Sequence, residues 1–345
     1  EKGDVIKNPV VAYEEYGVPD GPVVCISHGG LSSMHAAGKY SEEDVLPGWW
    51  DRVIGPGKAI DTERFRVISA NSLGSMYGTT GPNTINPDTG KHYGPDFPEI
   101  SFVDIARYYK AFLDELKIEK VFLMAGPSMG SCLTLQLAAL YPDFIGAAVP
   151  VATAGRMTPY GMCIHHFIIN TLKTDPEFKG GWYEPGKPTF GLKTVQTATR
   201  LLFTHERLIR KTQAEPIAHG PGAQIKKSER CYHYMTDGLD AACQGRDPNS
   251  YITVVNALNG YDLGRDTPTY EEGIRKIRCP LLLINVNTDG EFPPHFAQEV
   301  ADILNAQRPG QARVEIIDSD WGHYGCVQEQ EAINKLIAGF ISELG

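Results

Sequence analysis

One serine stands in a sequence context that can make its hydroxyl a nucleophile. Ser128 lies in the run VFLMAGPSMGS, between Gly126 and Gly130, after an apolar stretch and before a run of helix formers. In a sharp strand-to-helix turn, glycines at these two positions leave room for the chain and expose the serine oxygen. The amide of Met129, at the start of the helix, would point toward the reacting oxygen. The alternative interpretation is a glycine-rich turn in which Ser128 only caps the helix.

A serine hydroxyl is a poor nucleophile near neutral pH, so Ser128 needs a base and an acid that orients the base. Asp289 follows the apolar run LLLINV and His323 follows the run VEIIDSD, so each comes after a predicted strand. The carboxyl ends of parallel strands share one edge of a sheet, where we also expect Ser128. His323 would take the serine proton, and Asp289 would fix its tautomer and stabilise the imidazolium. Asp289 comes first after its strand and is the preferred acid, with alternatives at Asp318, Asp320 and Glu291.

The turn after the first predicted strand offers a second donor to a developing oxyanion. This turn reads SHGGL, and its glycines let backbone amides approach a substrate oxygen closely. We expect the amide of Gly30 to join that of Met129 in an oxyanion hole, with Leu31 as the alternative by one residue of register. His28, in the same turn, is expected to have a structural role.

Short apolar runs that alternate with helical patterns position these residues. The runs predict parallel strands at 23–27, 65–69, 121–125, 147–151, 280–286 and 313–317. Apolar residues at helical spacing predict helices at 102–118, 132–140, 296–304 and 329–344. Alternation of this kind is typical of a doubly wound, mostly parallel α/β sheet.

A long interruption separates the two halves of the pattern. From about residue 156 to residue 278 strand patterning fades, and helical segments mix with Gly and Pro. We interpret 156–278 as a mostly helical cap, or lid, inserted into a core made of 1–155 and 279–345. The adjacent residues His165 and His166 are expected to be polar residues of this cap, because neighbours on a helix point about 100° apart and suit one metal ion poorly. No metal site is predicted.

Composition argues against several classes of partner. The formal net charge is -10 and there is no basic run, which disfavours binding to nucleic acid or to an anionic membrane surface. No stretch approaches the roughly 18 apolar residues of a membrane span. We expect a soluble protein, cytoplasmic by default, since a removed leader would leave no trace.

Seven scattered cysteines without a CxxC pair predict reduced thiols. Cys326, three residues after His323, is either a core thiol or a reactive one.

Longer motifs carry a family resemblance. Residues 48–61 read GWWDRVIGPGKAID, residues 71–101 begin NSLGSMYGTTGPNTINP, and residues 289–294 read DGEFPP. These segments, with HAAGKY at 35–40 and DPNSY at 247–251, closely resemble the homoserine O-acetyltransferase family of α/β-hydrolase-fold enzymes. The elbow GPSMGS is similar to the GGSMGG usual in that family. The resemblance covers most of 14–154 and 246–344.

The resemblance implies an α/β-hydrolase fold and a ping-pong reaction. Ser128 would take an acetyl group from acetyl-CoA, and a hydroxyl of an acceptor would then take it from the enzyme. Acetyl-CoA is thus implied as an acyl-donor substrate, with no bound cofactor. The resemblance also supports Ser128, Asp289 and His323 as the triad by position, and it implies a homodimer as a family property.

Two positions depart from the family pattern where the acceptor binds. The family usually has an aspartate after the catalytic histidine, where this chain has Tyr324, and a tyrosine cannot supply the same charge to an ammonium group. Arg200 is the candidate for the cap arginine that meets the acceptor carboxylate, although its spacing is longer than in the family. We therefore predict acyl transfer to a hydroxyl acceptor that need not be homoserine. Hydrolysis of a carboxylic ester on the same triad is the alternative, and a non-catalytic binding protein is disfavoured.

Overall fold

The computed structural model describes residues 3–30 and 32–345, and a seven-stranded sheet lies at its centre. The strands are β1 (Tyr13–Gly17), β2 (Val23–Ser27), β3 (Arg66–Ala70), β4 (Leu123–Pro127), β5 (Ala148–Val151), β6 (Leu281–Val286) and β7 (Ala312–Ile317). Their order in the sheet is β1-β3-β2-β4-β5-β6-β7. β1 pairs with β3 antiparallel, and the other neighbouring strands of the described sheet pair in parallel. The predicted mostly parallel sheet is confirmed.

Helices connect and cover these strands. They are α1 (Phe102–Glu115), α2 (Met129–Leu140), α3 (Pro159–Thr174), α4 (Thr189–Leu202), α5 (Glu206–Ile209), α6 (Ala223–Thr236), α7 (Leu239–Cys243), α8 (Pro248–Asn259), α9 (Tyr270–Arg275), α10 (Pro294–Asn305), α11 (Gly325–Gln328) and α12 (Gln330–Leu344). Within the described ranges, none of these helices is long and apolar enough to cross a membrane.

Several element boundaries differ from the sequence-based prediction for local reasons. The strand predicted at 121–125 lies two residues later, because Val121 forms an isolated bridge with Ile145 instead of entering the sheet. α1 ends at Glu115 rather than at residue 118, and Lys117 has a φ of 60°, which does not continue a helix. α2 begins at Met129 rather than at residue 132, so it starts directly after Ser128.

The sequence pattern did not predict β1. Its sequence YEEYG carries two glutamates, and its residues alternate between exposed and half-buried. As an edge strand it lacks the continuous apolar run that a strand buried on both faces requires. Its pairing with β3 is antiparallel, so the sheet is parallel only from β3 onward.

Both faces of the sheet are covered, as in a doubly wound fold. One apolar cluster packs residues of α1, α2 and α10 against the sheet, with Leu113 of α1 fully buried. The other cluster packs Trp50, Ile54 and residues of α12, such as Ile337, on the opposite face. Burying a single leucine or isoleucine contributes about 1.5–3 kcal/mol to stability. These two clusters hold the strand ends in fixed relative positions.

The chain between β5 and β6 is mostly helical and contains α3 to α9. Its own apolar cluster joins three of these helices, with Ile168 from α3, Val195 from α4 and Tyr251 from α8. α3 begins at a capping threonine, Thr158, whose hydroxyl also donates to the backbone oxygen of Glu291 in the loop after β6. This bond ties the start of the helical segment to the sheet edge where the candidate site lies.

Candidate active site

Ser128 occupies a sharp turn between β4, which ends at Pro127, and α2, which starts at Met129. Its φ of 56° and ψ of -125° are unusual for a residue with a side chain and cost about 1–3 kcal/mol. A Cβ at Gly126 would lie 2.3 Å from Ser27 Oγ, and one at Gly130 would lie 2.2 Å from the backbone oxygen of Ser27, so both would clash. The two glycines therefore allow the turn. The Ser128 side chain caps none of the described amides of α2.

The three predicted side chains of the triad meet at the carboxyl ends of the strands. His323 Nε2 lies 2.8 Å from Ser128 Oγ, and His323 Nδ1 lies 2.8 Å from Asp289 Oδ2. The other carboxylate oxygen of Asp289 accepts the backbone amides of Glu291 and Phe292 at 2.8 and 2.9 Å. This geometry is the one that a serine nucleophile, a histidine base and an acid that orients the base require.

The alternative acids have other partners. Asp318 accepts a hydrogen bond from Asn287 Nδ2, and Asp320 forms ion pairs with Lys211 and Arg207. Glu291 does contact His323, but its Oε2 lies 3.1 Å from Nε2, on the serine side of the ring. The carboxylate on the Nδ1 side, where an orienting acid belongs, is that of Asp289.

His323 is buried between charges and rings. Burial lowers its pKa, but the carboxylates of Asp289 and Glu291 together outweigh burial and raise the pKa to about 9. The rings of Phe203 and Phe292 flank the imidazole, with centroids 5.0 and 5.7 Å away. The imidazole therefore has a fixed orientation and a marked preference for the protonated form.

Two turns beside Ser128 offer backbone amides as possible donors to an oxyanion. Met129 is the first residue of α2, so its amide has no partner within the helix and is available to an anion. Gly29 and Gly30 line the same cavity as Ser128, and a Cβ at Gly29 would lie 3.7 Å from the Cβ of Ser128. The alternative donor, Leu31, lies outside the described residues.

His28 stabilises the turn that contains Gly29 and Gly30 through hydrogen bonds of both ring nitrogens. Its Nδ1 donates to the Gly29 oxygen at 2.7 Å, and its Nε2 accepts the amide of Ser72 at 3.0 Å. Burial lowers the pKa of His28 to about 4, so the ring is neutral near pH 7. The structure places His28 as a bridge between two loops, in agreement with its expected structural role.

Ser128 opens into a cavity of about 210 Å³ beneath the helical segment. Apolar side chains form most of its wall, among them Trp49, Ile168, Phe203, Tyr251, Val254, Val255, Leu258 and Val327. Among the described residues that line it, none is a lysine or an arginine. The charged or titratable members are His165, Tyr251, Glu291, His323, Tyr324 and Cys326. The cavity suits an uncharged substrate group more than a carboxylate.

Tyr324 and Arg200 lie at different distances from the chemistry. Tyr324 lines the cavity of Ser128 and also an adjacent open groove of about 550 Å³. Arg200 lines the groove, where its Nη1 donates to the backbone oxygens of Tyr234 and Asp237 at 2.6 and 3.0 Å. The structure thus brings Tyr324 beside Ser128 but leaves Arg200 in the outer groove.

His165 lies in the helical segment, as expected, and the structure adds that its side chain is buried. Only 4% of His165 is exposed, and its ring lies between Asn259 Oδ1 at 2.6 Å and Glu291 Oε1 at 3.2 Å. In α3 it lies on the buried face with Ile168 and Leu172, at spacings of three and seven residues, whereas His166 is exposed. That spacing was the signal that could have identified it.

Two other sequence expectations concern metals and thiols. Among the described residues, no group of three or more His, Cys, Asp or Glu is arranged to hold a metal ion. Cys326 is buried, and burial first, then the nearby Asp289 and Glu291 carboxylates, hold its pKa well above the usual value. A thiol in this state is a poor nucleophile, so Cys326 is a core thiol.

The chain is similar to known proteins over most of its length. Residues 22–330 match the family described as alpha/beta hydrolase fold. The chain is 33% identical to the homoserine O-acetyltransferase of Moorella thermoacetica, over 100% of this chain and 93% of that protein. It is similar to the crystal structure of esterase E22, with 29% identity, a TM-score of 0.87, and coverage of 97% of this chain and 95% of that one. It is also similar to a homoserine O-acetyltransferase from Bacillus anthracis, with 28% identity, a TM-score of 0.88, and coverage of 96% and 91%.

Proposed function

The chain is an enzyme of the homoserine O-acetyltransferase family, with the α/β-hydrolase fold, and from that premise we propose that it transfers a small acyl group through Ser128 to an uncharged hydroxyl acceptor. The observation that carries this proposal is the hydrogen-bonded series Ser128–His323–Asp289, of which Ser128 and His323 line a largely apolar cavity. An acyl-enzyme splits a difficult transfer into two easier steps, each served by the same base.

In the first step Ser128 Oγ bonds to the acyl carbon while its proton moves to His323 Nε2. The amides of Met129 and Gly30 are proposed to receive the oxyanion, where fixed donors contribute most in a site that excludes water. The imidazolium then gives its proton to the leaving group as that bond breaks. In the second step His323 removes a proton from the acceptor hydroxyl, which attacks the acyl-serine and regenerates Ser128.

The cavity indicates which acceptors are suitable. Homoserine carries both an ammonium and a carboxylate, and a buried carboxylate without a cation is strongly unfavourable. Among the described lining residues no lysine or arginine could pair with it, and Tyr324 occupies the position of the aspartate that the family resemblance assigns to the ammonium. An uncharged alcohol meets neither difficulty. We therefore propose an alcohol without a carboxylate as the acceptor.

The outer groove supports a thioester donor such as acetyl-CoA. It shares Tyr324 with the cavity, and its other lining residues include two arginines, Arg200 and Arg230, and one carboxylate, Asp237. Cationic side chains of this kind suit phosphate groups, which a CoA-length donor carries at a distance from its acyl end. An acyl end at Ser128 and phosphates in the groove would place one donor across both spaces.

Hydrolysis of an uncharged carboxylic ester is the second candidate function. The similarity to esterase E22, over 97% of this chain, favours it. The same acyl-enzyme serves both reactions, since water replaces the alcohol in the second step and only its access to the acyl-serine differs.

One set of assays separates these outcomes. The enzyme is incubated with acetyl-CoA, or with p-nitrophenyl acetate, in the presence of homoserine, of 1-butanol, or of water alone. Transfer to an uncharged acceptor predicts that 1-butanol accelerates thiol or nitrophenol release and yields butyl acetate, and that homoserine has little effect. Release that no acceptor changes would support the hydrolase. Release that requires homoserine would contradict the proposed acceptor class.

A further inference from the structure

Glu291 is a buried carboxylate beside the proposed triad, and only 3% of it is exposed. Its Oε2 lies 3.1 Å from His323 Nε2, the nitrogen that also lies 2.8 Å from Ser128 Oγ. No hydrogen bond joins Oε2 to any residue in the described ranges. His323 therefore has a carboxylate near each ring nitrogen, with Asp289 at Nδ1 and Glu291 at Nε2. The carboxylate on the serine side retains an oxygen that can accept a hydrogen bond.

Contacts with the helical segment fix the position of Glu291. Its Oε1 lies 3.2 Å from His165 Nε2, and the other nitrogen of His165 lies 2.6 Å from Asn259 Oδ1. The backbone oxygen of Glu291 accepts the hydroxyl of Thr158 at 2.7 Å. Since these contacts engage Oε1 and the backbone, they leave Oε2 directed at the catalytic ring.

The charge of Glu291 is retained at neutral pH. Burial raises the pKa of its carboxyl, but the interactions with His323 and His165 together outweigh burial, so the pKa lies below the ordinary value. Glu291 is thus a buried anion whose neighbours are two imidazoles. A buried charge of this kind is costly to retain unless something pairs with it.

We propose that Glu291 is a positioning residue that holds the His323 imidazolium at Nε2 while Asp289 holds it at Nδ1. The inference rests on the proposed function, because it requires His323 to take the Ser128 proton. When Ser128 Oγ bonds to the acyl carbon, its proton moves to Nε2, which lies 2.8 Å from Ser128 Oγ and 3.1 Å from the negatively charged carboxylate of Glu291. The same proton then passes to the leaving oxygen or sulfur as the bond from that atom to the acyl carbon breaks. Glu291 stabilises the cation between these events and does not itself take the proton.

This contact also acts on the resting enzyme. A carboxylate beside Nε2 favours protonated His323, which cannot serve as a base, so kcat/KM should rise with pH until the imidazole loses its proton. The titratable groups that face His323 are Asp289 and Glu291 from the loop after β6, with His165 from α3 behind Glu291. Burial raises the pKa of the neighbouring Tyr324 and Cys326 side chains, so both stay neutral near the pH at which the enzyme works.

The test is the pH profile of kcat/KM for p-nitrophenyl acetate, from about pH 6 to about pH 10. Wild-type enzyme is compared with Glu291→Gln, which keeps the shape and removes the charge, and with the matched control His165→Gln. For Glu291→Gln we expect the acid limb to move to lower pH by about one pH unit or more, because an opposite charge within about 4–6 Å shifts a pKa by that amount. For His165→Gln, which leaves the Glu291 charge in place, the limb should stay or move to higher pH.

Two results would overturn the inference. One is a Glu291→Gln profile that superimposes on that of wild type. The other is a shift to lower pH in His165→Gln as large as that in Glu291→Gln, which would assign the effect to lost pairing with the helical segment. If thermal melting shows that Glu291→Gln does not fold, Glu291→Asp draws the charge back from Nε2, and an unchanged limb there would equally contradict the inference. Full activity of Ser128→Ala, by contrast, would refute the proposed function itself.

Discussion

The sheet edge and the helical segment form two walls of the same cavity, and they differ in how their side chains are fixed. At the sheet edge, Ser128, Asp289 and His323 each come after the carboxyl end of a parallel strand, so the sheet that contains β4, β6 and β7 sets their separation. On the other wall, side chains such as Ile168 and Val255 come from helices that pack on one another. The sheet thus sets the positions of the reacting groups, whereas the helical segment determines which molecules reach them.

The largest effect should come from the sheet wall, at the nucleophile. Ser128→Ala removes the atom that bonds to the acyl group and should lower kcat by about 10⁵-fold or more, with either acyl donor. The measurement is initial rate at saturating substrate, with the thermal melting curve as the control for folding. Activity within tenfold of wild type would mean that another residue is the nucleophile.

A smaller loss is expected at the acid of the same wall. Asp289→Asn keeps the shape but no longer stabilises the imidazolium, so kcat should fall by about 10⁴-fold. Asp318→Asn is the matched control, because Asp318 follows a neighbouring strand but is exposed and bonded to Asn287. Its kcat should stay within threefold of wild type. Equal losses in the two variants would contradict the assignment of Asp289.

A change in the helical wall should alter selectivity instead of chemistry. Val254→Ala enlarges the cavity, and a difference of one methylene in an apolar pocket changes discrimination by about tenfold or more. We expect the ratio of kcat/KM for p-nitrophenyl butyrate to that for the acetate to rise about tenfold, with kcat for the acetate little changed. Thr253→Ala, on the same helix but lining a different pocket, should leave the ratio as in wild type. A loss of kcat for the acetate as large as that of Asp289→Asn would contradict the claim that the helical segment affects selectivity and not the chemical step.

The smallest effect is expected in the outer groove. Arg200→Gln removes a cation from the proposed phosphate contact and should raise KM for acetyl-CoA several-fold, which corresponds to about 1 kcal/mol. KM for p-nitrophenyl acetate, which carries no phosphate, should not change. A steady-state comparison of the two donors measures this difference, and parallel changes in both would argue against the groove as a donor site.

Residues that follow strands could be predicted from the sequence, since apolar runs and turn glycines are local signals. Ser128, Asp289 and His323 were found in this way, and the structure brings them within hydrogen-bond distance. The burial of His165 has a local signal in its spacing with Ile168 and Leu172, but the contacts of Glu291 depend on how α3 packs over the sheet edge, which no local pattern encodes.

A strand whose formation depends on its partner is harder to predict from its own residues. The antiparallel edge strand β1 has a polar sequence that depends on β3 as its partner, so its pattern alone does not indicate a strand. The central strands β2 to β6 are largely buried, carry their signal in their own residues and are predicted to within one or two positions. β7, at the other edge, is only partly buried but is predicted equally well, because its sequence ARVEII is rich in β-branched residues. A strand is thus predictable where its own residues carry an apolar or β-branched signal.

The central claim is that an acyl group passes through Ser128, and mass spectrometry of the enzyme tests it most directly. The enzyme is mixed with acetyl-CoA or p-nitrophenyl acetate, quenched in acid during turnover and digested. We predict one acetyl group on the peptide that contains Ser128, lost on addition of an accepted alcohol and absent from Ser128→Ala. Turnover with no acetyl group on that peptide, or with the group on another residue, would contradict the account.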